Sequence, residues 1–227
     1  MQTKPQILDL FDNSPTFDNF IDVNNKIITN ALKNYSSQFT HITGSYLSGK
    51  THLLRAWANL AKTQLKRSSV YINAAELEHK IDIRSLAAYY EYIALDNIEQ
   101  LTDQQQVALF DLFNSIKLNN RNNLLLTSSL NSIDHNPKIR EDLKTRILSG
   151  LNLNLKAPSD EELTQILKIY ASKEGININD SELNYLINHY TRNVGTLINT
   201  MHMVVDSAIA QNRHITIPLI KQVIGHV

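Results

Sequence analysis

The sequence predicts an α/β fold: a parallel five-stranded sheet flanked by helices, followed by a small all-helical domain. Three observations carry that prediction. Between about residues 39 and 155, short apolar segments of strand length alternate with amphipathic segments of helix length, the pattern of a parallel sheet covered on both faces. A glycine-containing turn, "GSYLSGKT" at 44–51, joins the first strand to a long amphipathic helix. After "KAPSDEE" at 156–162, only the helical period recurs.

Residues 1–15 read as a flexible leader. A helical pattern at about 22–35 places Ile27, Ile28, Ala31 and Leu32 on one side. "FTHIT" (39–43) is a short buried strand, and the helix of 50–66 has Leu53, Leu54, Trp57, Leu60, Ala61 and Leu65 at helical spacing. "SVYIN" (69–73) and "YIALD" (92–96) are the second and third strands, the latter ending in a carboxylate. "DQQQVALFDLFNSIK" (103–117) is an amphipathic helix with Asp103 at its electropositive end. "NLLLTSS" (123–129) and "LNLNL" (151–155) complete the sheet, so that the α/β domain spans 16–157. The helical domain, 158–227, opens on Ser159 as a cap, with Asp160 to Glu162 in the first turn. Its helices fall at about 159–174, 180–190, 193–211 and 216–225, with Gly175 as the stop of the first.

Composition narrows the function classes. The chain has 227 residues and is 42% hydrophobic, enough for one large domain or a main domain with a small second one. Its 22 basic and 22 acidic residues balance, and no Lys/Arg block stands out, so the footprint of a strong DNA binder is missing. Without cysteine there is no disulfide framework and no cysteine-type zinc site. No apolar run approaches the ~18 residues that span a bilayer. The chain therefore reads as cytoplasmic, with no membrane association.

The turn at 44–51 matches G-x-x-x-x-G-K-[ST] at every fixed position: Gly44, Gly49, Lys50 and Thr51, with Ser45, Tyr46, Leu47 and Ser48 between. A strand precedes it and a helix follows, as phosphate binding requires. The loop's backbone N–H groups and the helix N-terminus wrap a β-phosphate, Lys50 reaches the β/γ-phosphates, and Thr51 holds Mg²⁺ through its hydroxyl. Asp96, carried to the sheet edge by an apolar strand, either binds that Mg²⁺ through water or caps a helix. Asn97 follows it. An amide hydrogen-bonds water but cannot take its proton, so ADP or ATP binding is expected to be intact and hydrolysis impaired. Glu99 stands two residues on.

"QILDLF" at 6–11 is a further puzzle. A short apolar run near a terminus docks either on its own domain or on a partner. Taken with the motifs above, "FDNFI", "GKTHLL", "LDNIE" and "TRILSGL" followed by an acidic helix start resemble the DnaA replication-initiator branch of the AAA+ ATPases. The resemblance runs from about 16 to 224, without the DNA-reading and helicase-interaction domains of an initiator, and is sharpest to the short Hda-like homologues.

That resemblance implies an AAA+ P-loop domain with a helical lid. It implies a clamp-binding peptide in which Gln6, Leu8, Leu10 and Phe11 anchor to the DNA polymerase III sliding clamp (beta subunit), and an arginine finger, Arg146, that completes the ATP site of the DnaA initiator. Arg140 lies outside the matching stretch. The family's lid arginine falls at Gly195, with Arg192 one turn earlier as a substitute, and the polar position ending the fourth strand falls at Ser129. The implied role is negative regulation of replication initiation by a nucleotide-bound homologue, reaching DNA mostly through the clamp. The resemblance also implies a homodimer or head-to-tail oligomer. An autonomous ATPase, such as a helicase loader or an initiator, shares the domain plan and stays open at this point.

Overall fold

The computed structural model describes residues 15–22, 24–77, 81–118 and 122–225, and "QILDLF" lies outside them. The first helix, α1 (Lys26–Lys33), begins later than the periodicity suggests. Asp22 stops it from starting earlier by accepting the Asn25 N–H at 2.6 Å and the Thr29 hydroxyl at 2.7 Å. Ile28 and Leu32 are buried, but Ile27 is 82% exposed. At ~100° per residue its side chain turns off the buried stripe, which corrects its placement with Ile28.

Strand β1 (Phe39–Gly44), helix α2 (Lys50–Thr63), β2 (Ser69–Asn73), the single-turn α3 (Leu86–Tyr89), β3 (Tyr92–Asp96), α4 (Asp103–Leu118), β4 (Leu124–Ser129), α5 (Glu141–Leu148) and β5 (Leu151–Leu155) follow. All pairings are parallel, in the order β2-β3-β4-β1-β5. Strand alternation splits the core in two. Ile93, Leu95 and Leu125 face α3, α4 and α5, meeting Leu86, Leu109, Leu112 and Leu143. Ala94, Leu126, Ile42 and Leu155 face the other way, against Ile28 and Leu32 of α1 and Leu53, Leu54 and Trp57 of α2. The sheet is thus covered on both faces, and the carboxyl ends of its strands share one edge, where open α/β sheets bind ligands.

The lid consists of α6 (Asp160–Lys173), α7 (Asp180–His189), α8 (Val194–Ala210) and α9 (Ile217–Ile224), packed around Leu163, Leu167, Leu183, Leu186, Leu197 and Met201. Ser159 forms a full capping box: its hydroxyl accepts the Glu162 N–H, and the Glu162 carboxylate accepts the Ser159 N–H at 2.6 Å. Gly175, at φ +67°, ends α6, with the Ile176 N–H donating to Ala171 O at 2.8 Å, a left-handed stop that glycine adopts cheaply. Asn25 ties the chain's beginning to the lid's approach. Its Nδ2 donates to Lys156 O and its Oδ1 accepts the Lys156 N–H, both at 3.2 Å. Among the described residues no helix is long and apolar enough to cross a membrane.

Candidate functional site

A cavity of about 820 Å³ opens at the carboxyl edge of the sheet, between the β1–α2 turn, the segment around Phe20 and the lid. The turn is shaped by two left-handed residues, Leu47 (φ +64°) and Gly49 (φ +96°). A side chain at Gly49 would stand 2.8 Å from the Phe20 ring, and one at Gly44 would stand 2.6 Å from Leu155 O. Both glycines therefore answer to close approach, and Gly49 to φ as well. Tyr46 projects at the tip, 78% exposed, and Ser48 is buried.

Lys50 is buried, and its ammonium donates to Gly44 O at 2.6 Å and Ser45 O at 3.0 Å. Burial pushes its pKa down, opposed by the charges of Asp96 and Glu99. The Lys50 cation is thereby held on the turn that would carry phosphate.

Asp96 is fully buried and takes three hydroxyl donors. Thr51 donates to Oδ2 at 2.6 Å, Tyr71 donates to the same oxygen at 2.9 Å, and Ser128 donates to Oδ1. Burial, then the Asp96 charge, pushes the Tyr71 phenol up to about 12, so it remains a donor. The Thr51 hydroxyl beside a carboxylate is a hard-oxygen donor pair that suits Mg²⁺. Among the described residues no group of three or more His, Cys, Asp or Glu side chains could hold a metal by itself, so a metal here would need further oxygens from a phosphate or water.

Asn97 adopts a left-handed backbone (φ +57°). Its N–H donates to Ser128 Oγ at 3.1 Å and its Nδ2 to Asn73 Oδ1 at 2.9 Å. Glu99, in the 3₁₀ turn Ile98–Gln100, lines the cavity alongside Lys50 and Thr51. Its Oε1 accepts the Leu130 N–H at 3.2 Å, and its buried Oε2 has no partner among the described residues.

The two serines ending β4 point to opposite faces of the sheet. Ser129 is turned away from Asp96. His41 Nε2 lies 3.0 Å from its hydroxyl, which donates to Asn131 O, while His41 Nδ1 lies 2.7 Å from Thr127 Oγ1. Ser128 is the residue that meets Asp96. Strand parity is the reason: Asp96 continues the Leu95↔Thr127 pairing to the level of Ser128, whereas His41 pairs with Thr127.

Arg192, one turn before Gly195, is paired within the lid. It bonds Asp160 Oδ2 at 2.5 Å on the surface, outside the cavity lining, where α8 instead presents Gly195 and Asn199. The apolar end of the cavity is made by Phe20, Ile166, Tyr170 and Ile198, a wall that the sequence motifs do not reveal.

Arg146 lies on α5, outside the cavity lining. Its guanidinium sits 5.4 Å from the centre of the Phe110 ring, and it makes no ion pair among the described residues. Arg140 is committed to Asp142, with bonds of 3.2 and 2.9 Å.

The lid, residues 160–224, matches the family model for the lid domain of Hda. An uncharacterized protein of Haemophilus influenzae is 28% identical over 217 residues, covering 92% of this chain and 93% of its own length. Domain III of the Thermotoga maritima replication initiation protein DnaA superposes with a TM-score of 0.75 at 18% identity, over 94% of this chain and 96% of that one. AMPPCP-bound DnaA from Aquifex aeolicus superposes with a TM-score of 0.69 at 22% identity, over 87% and 67%.

Proposed function

We propose that this chain is a DnaA-related, Hda-like AAA+ protein and a nucleotide-bound negative regulator of replication initiation. ADP or ATP occupies the cavity, with its phosphates on the 44–51 turn and its base against Phe20 and Tyr170. Lys50 supplies a buried cation to the β/γ-phosphates. Thr51 and Asp96 hold Mg²⁺, which neutralises the phosphate charge when bound. AMPPCP in the Aquifex relative supports nucleotide as the ligand class.

Gln6, Leu8, Leu10 and Phe11 tether the protein to the sliding clamp as an extended peptide, alternate side chains filling an apolar pocket. Arg146 then reaches the γ-phosphate of ATP on the DnaA initiator and stabilises the charge that develops as the phosphoryl group leaves. The initiator is left with ADP. A head-to-tail assembly would place Arg146 against a neighbour's site in the same way.

The observation that carries this reading is the position of Arg146: a cation without a carboxylate partner among the described residues, outside the lining of its own chain's cavity. The test is hydrolysis of initiator-bound ATP in the presence of loaded clamp. Arg146→Ala should remove a stimulation of order 10³–10⁵ while the protein stays folded, because the contact with Phe110 contributes only about 0.5–1 kcal/mol. Undiminished stimulation refutes the finger. Clamp affinity is measured separately, with Gln6→Ala, Leu10→Ala and Phe11→Ala combined; binding equal to that of the unaltered chain removes the tether.

A further inference from the structure

We propose that the outer edge of β5 is a docking surface for the same strand of a second copy of this chain. β1 pairs with one edge of β5, and among the described residues no strand pairs with the other. An open strand edge offers a row of unmatched N–H and C=O groups, and proteins blunt such edges with charge, proline or a bulge. β5 carries none of these. Its five residues, "LNLNL", are uncharged, and its register with β1 runs unbroken from Leu151 to Leu155. The open stretch is also bounded. Before it, the Gly150 N–H donates to Ile147 O and the Gly150 carbonyl accepts from Asn152 Nδ2. After it, both main-chain groups of Lys156 are taken by the Asn25 side chain.

The strand's own sequence selects the occupant. "LNLNL" is the same in both directions, so antiparallel pairing about Leu153 matches it with itself over all five residues. Leu153 then stands opposite Leu153 of the second copy, Leu151 opposite Leu155, and Asn152 opposite Asn154. Strand alternation keeps the two kinds apart. Leu153 and Leu155 pack on the side of α1 and α2, with Ile42, while Asn152 and Asn154 are exposed on the other side. Both the apolar layer and the amide pairs therefore continue across the seam. Leu151 and Leu153 are only half-buried, as expected of a strand that lacks a neighbour on one side. Each covering layer adds an exposed apolar side chain close to this edge in the chain. Leu148, 42% exposed, ends α5 just before β5, and Ile27, 82% exposed, follows the Asn25 that holds Lys156.

The pairing is two-fold and uses the same surface on both copies, so it closes at two chains. It joins two five-stranded sheets into one continuous sheet. No residue of β5 lines the cavity, so each copy keeps its own nucleotide site, and the pairing draws on neither nucleotide nor clamp. Because the seam is uncharged, salt should change its strength little.

The test uses the full chain. It has no cysteine, so Leu153→Cys introduces a single thiol, which the two-fold sets opposite its own copy at a Cα separation of about 4.5–5.5 Å, within disulfide reach. Mild oxidation should link that variant into covalent dimers, whereas Leu60→Cys, half-buried on α2, should stay single. Sedimentation of the unaltered chain over a range of concentrations should show a two-chain species and nothing larger. Asn152→Lys combined with Asn154→Lys sets like charges opposite one another twice and should weaken that species by about tenfold. The same two positions changed to Glu should behave alike, and mixing the Lys and Glu proteins should restore pairing. Asn152 also donates to the last carbonyls of α5, so circular dichroism checks the fold. Asn154→Lys alone leaves that cap intact and should still weaken the dimer severalfold. A chain that stays monomeric at every concentration overturns the proposal, whatever else covers the edge. So does a dimer that the lysine variants leave unchanged, a series that grows past two chains, or linkage of Leu60→Cys as ready as that of Leu153→Cys.

Discussion

Acidification should loosen this fold through one histidine. His41 is 1% exposed in the middle of the sheet, its ring nitrogens 2.7 Å from Thr127 Oγ1 and 3.0 Å from Ser129 Oγ. Burial pushes its pKa down to about 3, against 6.5 in an unfolded chain. Between those values the unfolded chain binds a proton that the folded chain refuses, so unfolding becomes easier as pH falls. The stability tied to neutral His41 is fully present above pH 6.5 and is lost progressively from there down toward about pH 3. Each pH unit within the window is worth about 1.4 kcal/mol, so the fall from pH 7 to pH 5 amounts to about 2 kcal/mol. Urea denaturation at pH 7, 6 and 5 measures it. His52, also held below its ordinary value chiefly by burial, adds to the slope, so the comparison is with His41→Gln. That variant is less stable at pH 7, yet its decline from pH 7 to 5 should be shallower by about 2 kcal/mol. Parallel declines in the two proteins would refute the reasoning, because the buried ring would then take its proton as readily as a free one.

Three other outcomes follow from the geometry. Lys50→Ala should weaken ADP binding by roughly 10- to 100-fold, the worth of a charge-assisted contact, while circular dichroism stays unchanged; fluorescence titration reads the first. Gly49→Ala meets both an unfavourable backbone angle and the Phe20 ring at 2.8 Å; it should cost about 1–3 kcal/mol in thermal unfolding and depress nucleotide affinity with it. Ser159→Ala breaks the capping box of α6; about 1 kcal/mol of stability should go from chemical denaturation, with nucleotide affinity nearly untouched.

What could be read from the sequence was local. The 44–51 turn is contiguous, and its strand and helix neighbours are periodic over enough residues to recognise; the five strands and four lid helices appear close to where periodicity puts them. Asp96 is legible because an apolar run ends on it. What was not legible depends on partners distant in sequence. Whether Ser128 or Ser129 meets Asp96 is decided by pairing with β3 and β1, which neighbouring residues do not encode. Arg192 is drawn to Asp160 across the lid. The place of Glu99 depends on a left-handed residue at 97, unusual enough for a non-glycine that periodicity does not foresee it. Helix α5 has only eight residues, too few for a period to stand out, so Arg146 came from a motif and not from a helical pattern.

The pair formed by Asn25 and Lys156 has an evolutionary reading. The amide of Asn25 grips only the main chain of Lys156, its N–H and its carbonyl. The two positions should therefore drift unequally. Almost any residue with a backbone N–H preserves the link at 156, and proline alone would break half of it. At 25 only a side chain that donates and accepts at that reach will serve. A mutational scan of both sites should find one end of the link permissive and the other strict.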